Sequence, residues 1–521
     1  MSERFEQIKV LLGGSLEEKL RLLSPSFHSY RLLKKSIDAR GKQPHWVYSV
    51  EVFSENETPP DGHVHIPRYR VPENYALPII VGSGPAGLFA ALRLVERGIR
   101  CRLFEQGSRA EKRMQAIAKY WRYGVLDPLD NVCFGEGGAG LYSDGKLITR
   151  IKSPHIPYVL SRLVKFGAPE EILYLSNPHV GSDRIRKVIP IIREFLIENG
   201  CELHFNAKVK GLVYGEGCVR GVELVSGESF ESDQVILATG HSATDMLLDL
   251  HRNGVCVEGK SFAVGLRIEH PQADINAMQF GRYAGNPDIG PATYRLADHD
   301  PSTGIGVYTF CMCPGGYVIS SGTEDSGIVS NGMSNYARNS PFANAAVVVS
   351  IDYEKQFGTN VLAGLDFRAA LEQAALAQVV SAGGTHQFPA QRLTDFLDAK
   401  SGPTLPSSSP SKVIAVRLDS LLPNWIYERL AAGLNQFDRN MKGFVSAKAQ
   451  LHGVESRTSC PLRVVRDKLS LESTSHSGLY PTGEGAGYAG GITSAAVDGV
   501  RVAEAVASRL CDKALASTVS D

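Results

Sequence analysis

LPIIVGSGPAGLFAALRLVERGIRCRLFE, residues 77–105, is the stretch that decides the fold. Leu77 to Val81 is a short apolar run, the mark of a strand buried on both faces. A glycine loop follows, and Leu88 to Glu96 then reads as an alanine- and leucine-rich helix that Gly98 stops. Ile99 to Phe104 is a second strand, and Glu105 ends it, 18 positions after Gly87. Strand, glycine turn, helix and strand make a βαβ unit of about minimal length.

The loop is Gly82-Ser83-Gly84-Pro85-Ala86-Gly87, a full G-x-G-x-x-G in its proper place between strand and helix. Gly82 permits the tight turn, Gly84 lets backbone approach a pyrophosphate, and Gly87 lets helix and strand pack closely. The helix N-terminus offers unpaired amides and a partial positive charge to phosphates. Glu105, with Gln106 beside it, stands where an acid accepts a hydrogen bond from a ribose 2′-hydroxyl and repels a 2′-phosphate.

Outward from this unit, three further stretches favour FAD over NAD. Gly135-Glu136-Gly137-Gly138-Ala139-Gly140, continuing to Ser143-Asp144-Gly145-Lys146, lets backbone amides crowd a flat or anionic group. Ala238-Thr239-Gly240 ends a buried strand, Gln234 to Ala238, and strand ends are where open α/β sheets bind ligands. Gly483-Glu484-Gly485-Ala486-Gly487 with Gly490-Gly491-Ile492-Thr493 again follows a strand and precedes a helix, giving a second helix N-terminus for a flavin. A separate NAD site on Gly485 to Gly490 is the alternative, but no acid-ended strand follows it at the required distance.

The chain of 521 residues exceeds what one core usually serves. We divide it into a small N-terminal α+β domain (1–75), a Rossmann-like FAD-binding domain with an inserted β-meander (76–260), a mixed-sheet α+β substrate domain (261–450) and a C-terminal return to the FAD domain (451–521). The first unit contains a helix near Leu16 to Leu23, opened by a capping box at Ser15 to Glu18. A basic segment, Arg31 to Arg40, a strand, Trp46 to Val52, and a linker, Asn56 to Gly62, follow. Residues 202–238 read as the meander and its closing strand, and 260–353 as a second sheet. Phe367 to Ala377 and Trp425 to Phe437 read as helices, Pro403 to Pro410 as a mobile loop, and a last helix runs from Ser494.

Lys plus Arg and Asp plus Glu are 55 each, so the basic excess of a nucleic-acid binder is missing. The charged, polar start of the chain is no secretory leader, and no apolar run approaches the ~20 residues of a membrane helix. Nine cysteines without a leader suggest reduced thiols in a cytoplasmic setting. No C-x-x-C or H-E-x-x-H appears, so no metal is expected.

These motifs together resemble the FAD-dependent dehydrogenases of the glutathione-reductase-like, two-dinucleotide-binding-domain flavoproteins, in particular the NAD(FAD)-utilising dehydrogenase branch. Phe134 to Gly140, Ser143 to Leu147, Leu237 to Ala243, Thr309 to Gly316, Gly478 to Gly491 and Ser36 to Arg40 carry the resemblance. It implies that Gly82, Gly84, Gly87 and Glu105 hold the pyrophosphate and adenosine ribose. Val209 would meet adenine through its backbone, and Arg113 would be the arginine that follows the ribose acid. Gly483 to Gly485 would meet phosphate or ribityl oxygens, with Gly491, Ile492 and Thr493 along the isoalloxazine.

Candidates for the chemistry are fewer. Cys311 and Cys313 share one face if Tyr308 to Met312 is a strand, and are either buried thiols or a redox pair. In His452 to Ser459, Arg457 is placed to clamp a carboxylate with Glu455 orienting it. Lys146 is a candidate for an anionic flavin or phosphate, and His241 for a proton donor. The expected activity is hydride transfer between flavin and a small organic substrate, with NAD(P)H a candidate partner. A flavin monooxygenase and an FAD-binding or RNA-associated adaptor are the alternatives. Oligomeric state is not legible.

Overall fold

A computed structural model describes residues 2–39, 41, 43–57, 59, 66–69 and 74–519. The decisive stretch forms β4 (Ile79–Val81), α2 (Pro85–Glu96) and β5 (Cys101–Phe104). The helix starts three residues earlier than the apolar pattern suggests, because Pro85 at its first position has the backbone angle a helix needs. With β6 (Cys201–His204), β10 (Val235–Leu237) and β22 (Leu479–Pro481) the two strands make a parallel sheet in the order β22-β10-β4-β5-β6. β22 comes from the far end of the sequence, as the second glycine cluster requires.

Helices α2, α3 (Ala110–Tyr123), α4 (Ile156–Lys165), α5 (Ser182–Glu198) and α13 (Ile492–Val519) cover one face of this sheet. The meander β7 (Val209–Gly215), β8 (Cys218–Leu224) and β9 (Ser229–Glu231), with α6 (Thr244–Arg252), covers the other. Close packing here depends on missing side chains. A Cβ on Gly87 would stand 1.9 Å from the Gly82 carbonyl oxygen, and one on Gly499 of α13 would stand 2.0 Å from that of Ala86.

The second unit is a seven-stranded mixed sheet in the order β13-β14-β17-β12-β20-β18-β19. Its strands are β12 (Phe262–Pro271), β13 (Ala297–His299), β14 (Gly306–Cys313), β17 (Phe342–Ile351), β18 (Phe388–Arg392), β19 (Val413–Ala415) and β20 (Gln450–Glu455). β12 shows the period of two: Val264, Leu266 and Ile268 join the apolar core, while Gly265, Arg267 and Glu269 alternate with them. Around the sheet lie α7 (Gln272–Phe280), α8 (Tyr353–Phe357), α9 (Ala363–Ser381), α10 (Leu393–Leu397), α11 (Leu418–Leu421) and α12 (Asn424–Asn440). A hairpin of β15 (Tyr317–Ser320) and β16 (Ser330–Met333) and a ribbon of β11 (Val257–Gly259) and β21 (Leu462–Val464) complete the units.

Two expectations need correction. β20 belongs to the seven-stranded sheet, so the return to the first domain follows Glu455 instead of starting at residue 451. The Pro403–Pro410 segment is irregular but tied down: Leu405 donates to Gln450, Ser408 donates to Glu269, and Val318 donates to Ser408.

At the N-terminus, β1 (Glu3–Leu11), α1 (Leu16–Leu23), β2 (Ser29–Asp38) and β3 (His45–Phe53) form a sheet in the order β1-β3-β2. Ser15 caps α1 by accepting from the Glu18 amide at 3.2 Å. The basic segment turns out to be strand β2, whose Lys35 amide donates to Tyr174 and so joins this unit to the main body. Arg40, Thr58 and residues 60–62 of the linker lie outside the described residues.

Candidate functional site

The carboxyl ends of β4, β10 and β22 open into a cleft that continues to the seven-stranded sheet, with about 1510 Å³ of non-atom space. The three glycine clusters converge on it. A Cβ on Gly84 would meet nothing within 4 Å, so this position looks into open space. One on Gly138 would lie 3.1 Å from the Gly84 Cα, and one on Gly483 would lie 2.9 Å from the Ala86 Cβ. Turns about 400 positions apart in sequence thus share one wall.

Of the residues the sequence singles out, Gly82, Gly84, Pro85, Ala86, Glu105, Gln106, Gly138, Val209, Ala238, Thr239, Gly240, Gly483, Glu484, Gly491 and Ile492 line this cleft. Ser83, Gly87, Gly137, Gly485 and Thr493 sit behind the wall and shape it. A Cβ on Gly485 would come 2.4 Å from the Gly240 carbonyl oxygen, and the Thr493 hydroxyl donates to Leu147 at 2.7 Å.

Glu105 has a different immediate role from the one its position suggests. One carboxylate oxygen accepts from the Ser83 amide and hydroxyl, the other from the amides of Gly107 and Gly135. Four donors match a carboxylate's acceptor capacity, so Glu105 ties three loops together at the cleft wall. Arg113 is a correction. It is fully buried and donates to the carbonyls of Asn131, Val132, Glu136 and Gly138. It holds the second glycine loop in shape from behind and does not reach the cleft.

At the far end, Glu455 and Arg457 both face the cleft, but they are not partners. Glu455 accepts two hydrogen bonds from Arg267, at 2.9 and 2.8 Å, and one from Ser330. Arg457 is held by Glu372 of α9 at 3.0 and 2.7 Å and donates to Ser242 and Thr323. Burial alone would weaken the Arg457 charge, but Glu372 outweighs it and the guanidinium stays charged. Arg368, also buried, lies 3.9 Å from the same carboxylate. The expected Glu455–Arg457 couple is therefore replaced by two separate pairs. Glu372 was the residue to find: Arg368 and Glu372 stand four apart among apolar helix positions, an i,i+4 pair turned inward.

Cys311 faces the cleft, while Cys313 is wholly buried. They do not share a strand face, because the β14–β17 register shifts between Phe310 and Cys313. Lys146 does not line the cleft; its ammonium donates to the Met312 carbonyl and lies 3.9 Å from Asp144. His241 lines the wall, but burial and the charges of Arg368 and Arg457 push it down to about 3, which leaves it neutral. Among the described residues, no cluster of His, Cys, Asp and Glu could hold a metal ion, and no helix is long and apolar enough to cross a membrane.

Glu484 is the cleft's unusual acid. Burial pushes its carboxyl up to about 8; Lys260 opposes the rise and Cys311 adds to it. A carboxyl raised above its unfolded value of about 4.3 keeps a proton in the fold that the unfolded chain has released. Its contribution to stability therefore falls as pH rises from about 4.3 and levels off near 8. Thermal unfolding of cofactor-stripped protein should show a midpoint that declines across that window, and Glu484→Gln should flatten the decline. Parallel curves for the two proteins would contradict the assignment.

Comparison with known proteins gives the following. A family model described as "FAD-dependent protein, C-terminal domain-like" matches residues 261–458, and one described as an NAD(P)-binding Rossmann-like domain matches residues 80–111. A domain of unknown function matches residues 9–53. An uncharacterized protein from Clostridium beijerinckii is 40% identical over 97% of this chain and 98% of its own length. Among solved structures, the halogenase PltM is 10% identical, covering 85% of this chain and 70% of its own, with a TM-score of 0.41. The glycerol-3-phosphate dehydrogenase from Bacillus halodurans, complexed with FAD, is 12% identical, covering 84% and 65%, with a TM-score of 0.35.

Proposed function

We infer the reaction from one premise: this chain belongs to the FAD-dependent oxidoreductase family. FAD is its cofactor, and the cleft suits it. The start of α2 has no side-chain cap and Gly84 looks into open space, which leaves a cradle for a pyrophosphate. Val209 and Gln106 bound the end that suits adenine, and Gly491 and Ile492 at the start of α13 bound the end that suits the isoalloxazine. Bound FAD supplies two-electron hydride chemistry.

The finer reading is a dehydrogenase acting on a small organic acid, with NAD(P)H as the candidate second redox partner. One observation carries it. Two buried guanidinium groups, Arg457 and Arg368, share the single buried carboxylate Glu372 in the wall where Asn331 and Thr458 also face the cleft. This wall has a net positive charge, which the exposed Glu324 offsets weakly through solvent. It favours an anionic substrate group. Arg457 is fixed by four hydrogen bonds, so it orients a carboxylate without first being ordered itself. Glu484 keeps its proton near neutral pH and is placed to hold or give one at the cleft wall.

Anaerobic reduction of the FAD-loaded protein with NADH, NADPH and a panel of amino and hydroxy acids tests the reading. An organic acid should bleach the flavin absorbance, and Arg457→Met should raise the concentration required by ~10-fold or more. Rapid oxygen consumption with NADPH and no bleaching by any acid would instead identify a monooxygenase.

A further inference from the structure

Six residues of the second unit line the cleft: Phe310, Cys311, Asn331, Glu455, Arg457 and Thr458. The reading above uses those at the Arg457 end. Phe310 has no task in it, and its placement is unusual. It is 42% exposed, and among the described residues no other phenylalanine or tryptophan stands as open. An aromatic side chain left open inside a concave site is where a ligand gains apolar contact.

The fold puts it there. Along β14, Val307 belongs to the apolar core, while Tyr308 packs on Ala346 and Val348 of the opposite face. Phe310, two positions on, takes that opposite face as well. It is in register with Ala346 but joins neither cluster. It is also the last regular pair before the register shifts, and Cys311 then takes a φ of 45°, in the left-handed region. A bulge of this kind bends its strand and re-aims a side chain beside it. Arg267 is in register with Ala346 on the same face and reaches Glu455. One sheet face therefore runs from Phe310 on β14 to Glu455 on β20. Those strands are three spacings apart, ~14 Å. Arg457 lies just past Glu455, so ring and guanidinium stand at opposite ends of one wall.

We propose that Phe310 is a specificity-determining residue, and that the substrate is a carboxylic acid carrying an aromatic ring, its acid at Arg457 and its ring against Phe310. This rests on the reading above that Arg457 receives a carboxylate. The charge of Arg457 selects an anionic group but does not choose among acids. An open aromatic platform does choose, because ring-on-ring contact adds stacking to apolar burial. The separation of the two anchors matters as well. An acid of two or three carbons reaches one anchor only, whereas an aryl acid with a short spacer reaches both. Phe310 makes and breaks no bond; it holds the far end of the substrate and so orients the acid end.

The test is calorimetric titration of the FAD-loaded protein with phenylacetate, 3-phenylpropionate and 4-phenylbutyrate, each paired with the same acid lacking its ring. In the wild type the ring-bearing member of at least one pair should bind ~10-fold or more tightly than its partner. Phe310→Ala should cut that preference to about threefold or less, with flavin content and thermal midpoint as in the wild type. Arg457→Met should weaken ringed and ringless acids alike. Phe310 supports neither cluster, so its variant keeps the test valid should Arg457→Met fail to fold. A wild type without ring preference, or a preference that survives Phe310→Ala, overturns the platform and leaves the carboxylate reading standing. Loss of flavin from Phe310→Ala would make the ring a support for FAD and overturns the platform in the same way. Acids that bind Arg457→Met as tightly as the wild type, or that bind neither protein, overturn the carboxylate reading, and the platform with it.

Discussion

Gly84→Glu should yield a folded protein that purifies colourless. The backbone at Gly84 is ordinary, with φ −69°, and a Cβ there meets nothing within 4 Å, so the new side chain extends into the cleft without disturbing the fold. Its carboxylate then lies at the start of α2, where the pyrophosphate is expected. Like charges placed together cost several kcal/mol, and about 3 kcal/mol already weakens binding more than ~100-fold. Gly84→Ala is the control: it adds volume to open space but no charge, and should keep most of its flavin. Absorbance and cofactor content after gel filtration measure both. Full FAD occupancy in Gly84→Glu would remove the pyrophosphate from this loop.

The same loop shows what a sequence can and cannot convey. Gly82, Gly84 and Gly87 were legible as a set because their spacing meets three separate steric demands. Gly82 has φ 100° and faces the Ala238 carbonyl, Gly87 faces the Gly82 carbonyl, and Gly84 faces empty space. Continuous apolar strands and alanine-rich helix were legible because both are local patterns. Partnerships were not. The acid for Arg457 lies 85 residues away, and Glu455, two positions before it, was the nearer guess. Nothing local distinguishes an arginine that greets a ligand from one that, like Arg113, gathers four backbone carbonyls. β1 and β2 escaped notice because their exposed face is densely charged and only Ile8 and Val10 of β1 are buried. The bulge at Cys311 depends on a register shift against β17, which no residue of β14 announces.

Glu455→Gln should destabilise the second unit by about 3–5 kcal/mol while leaving FAD retention unchanged. Arg267 is wholly buried and Glu455 is 5% exposed, so the pair is shielded from solvent. Glu455 is the carboxylate that balances the guanidinium there, with smaller contributions from Cys313 and Cys311: Asn344 accepts its third hydrogen bond but carries no charge. Removing the carboxylate strands a full positive charge between β12 and β20, in the middle strands of the seven-stranded sheet. An amide of the same shape restores one acceptor and none of the charge. Chemical denaturation followed by tryptophan fluorescence measures the loss. The double variant Arg267→Met, Glu455→Gln should lose less than the sum of its parts, because no unpaired charge remains. Simple additivity would mean that the two side chains are not coupled. A stable Glu455→Gln protein with impaired substrate oxidation would make Glu455 a group that acts on the reaction, as the sequence first suggested, and not a support for the sheet beneath it.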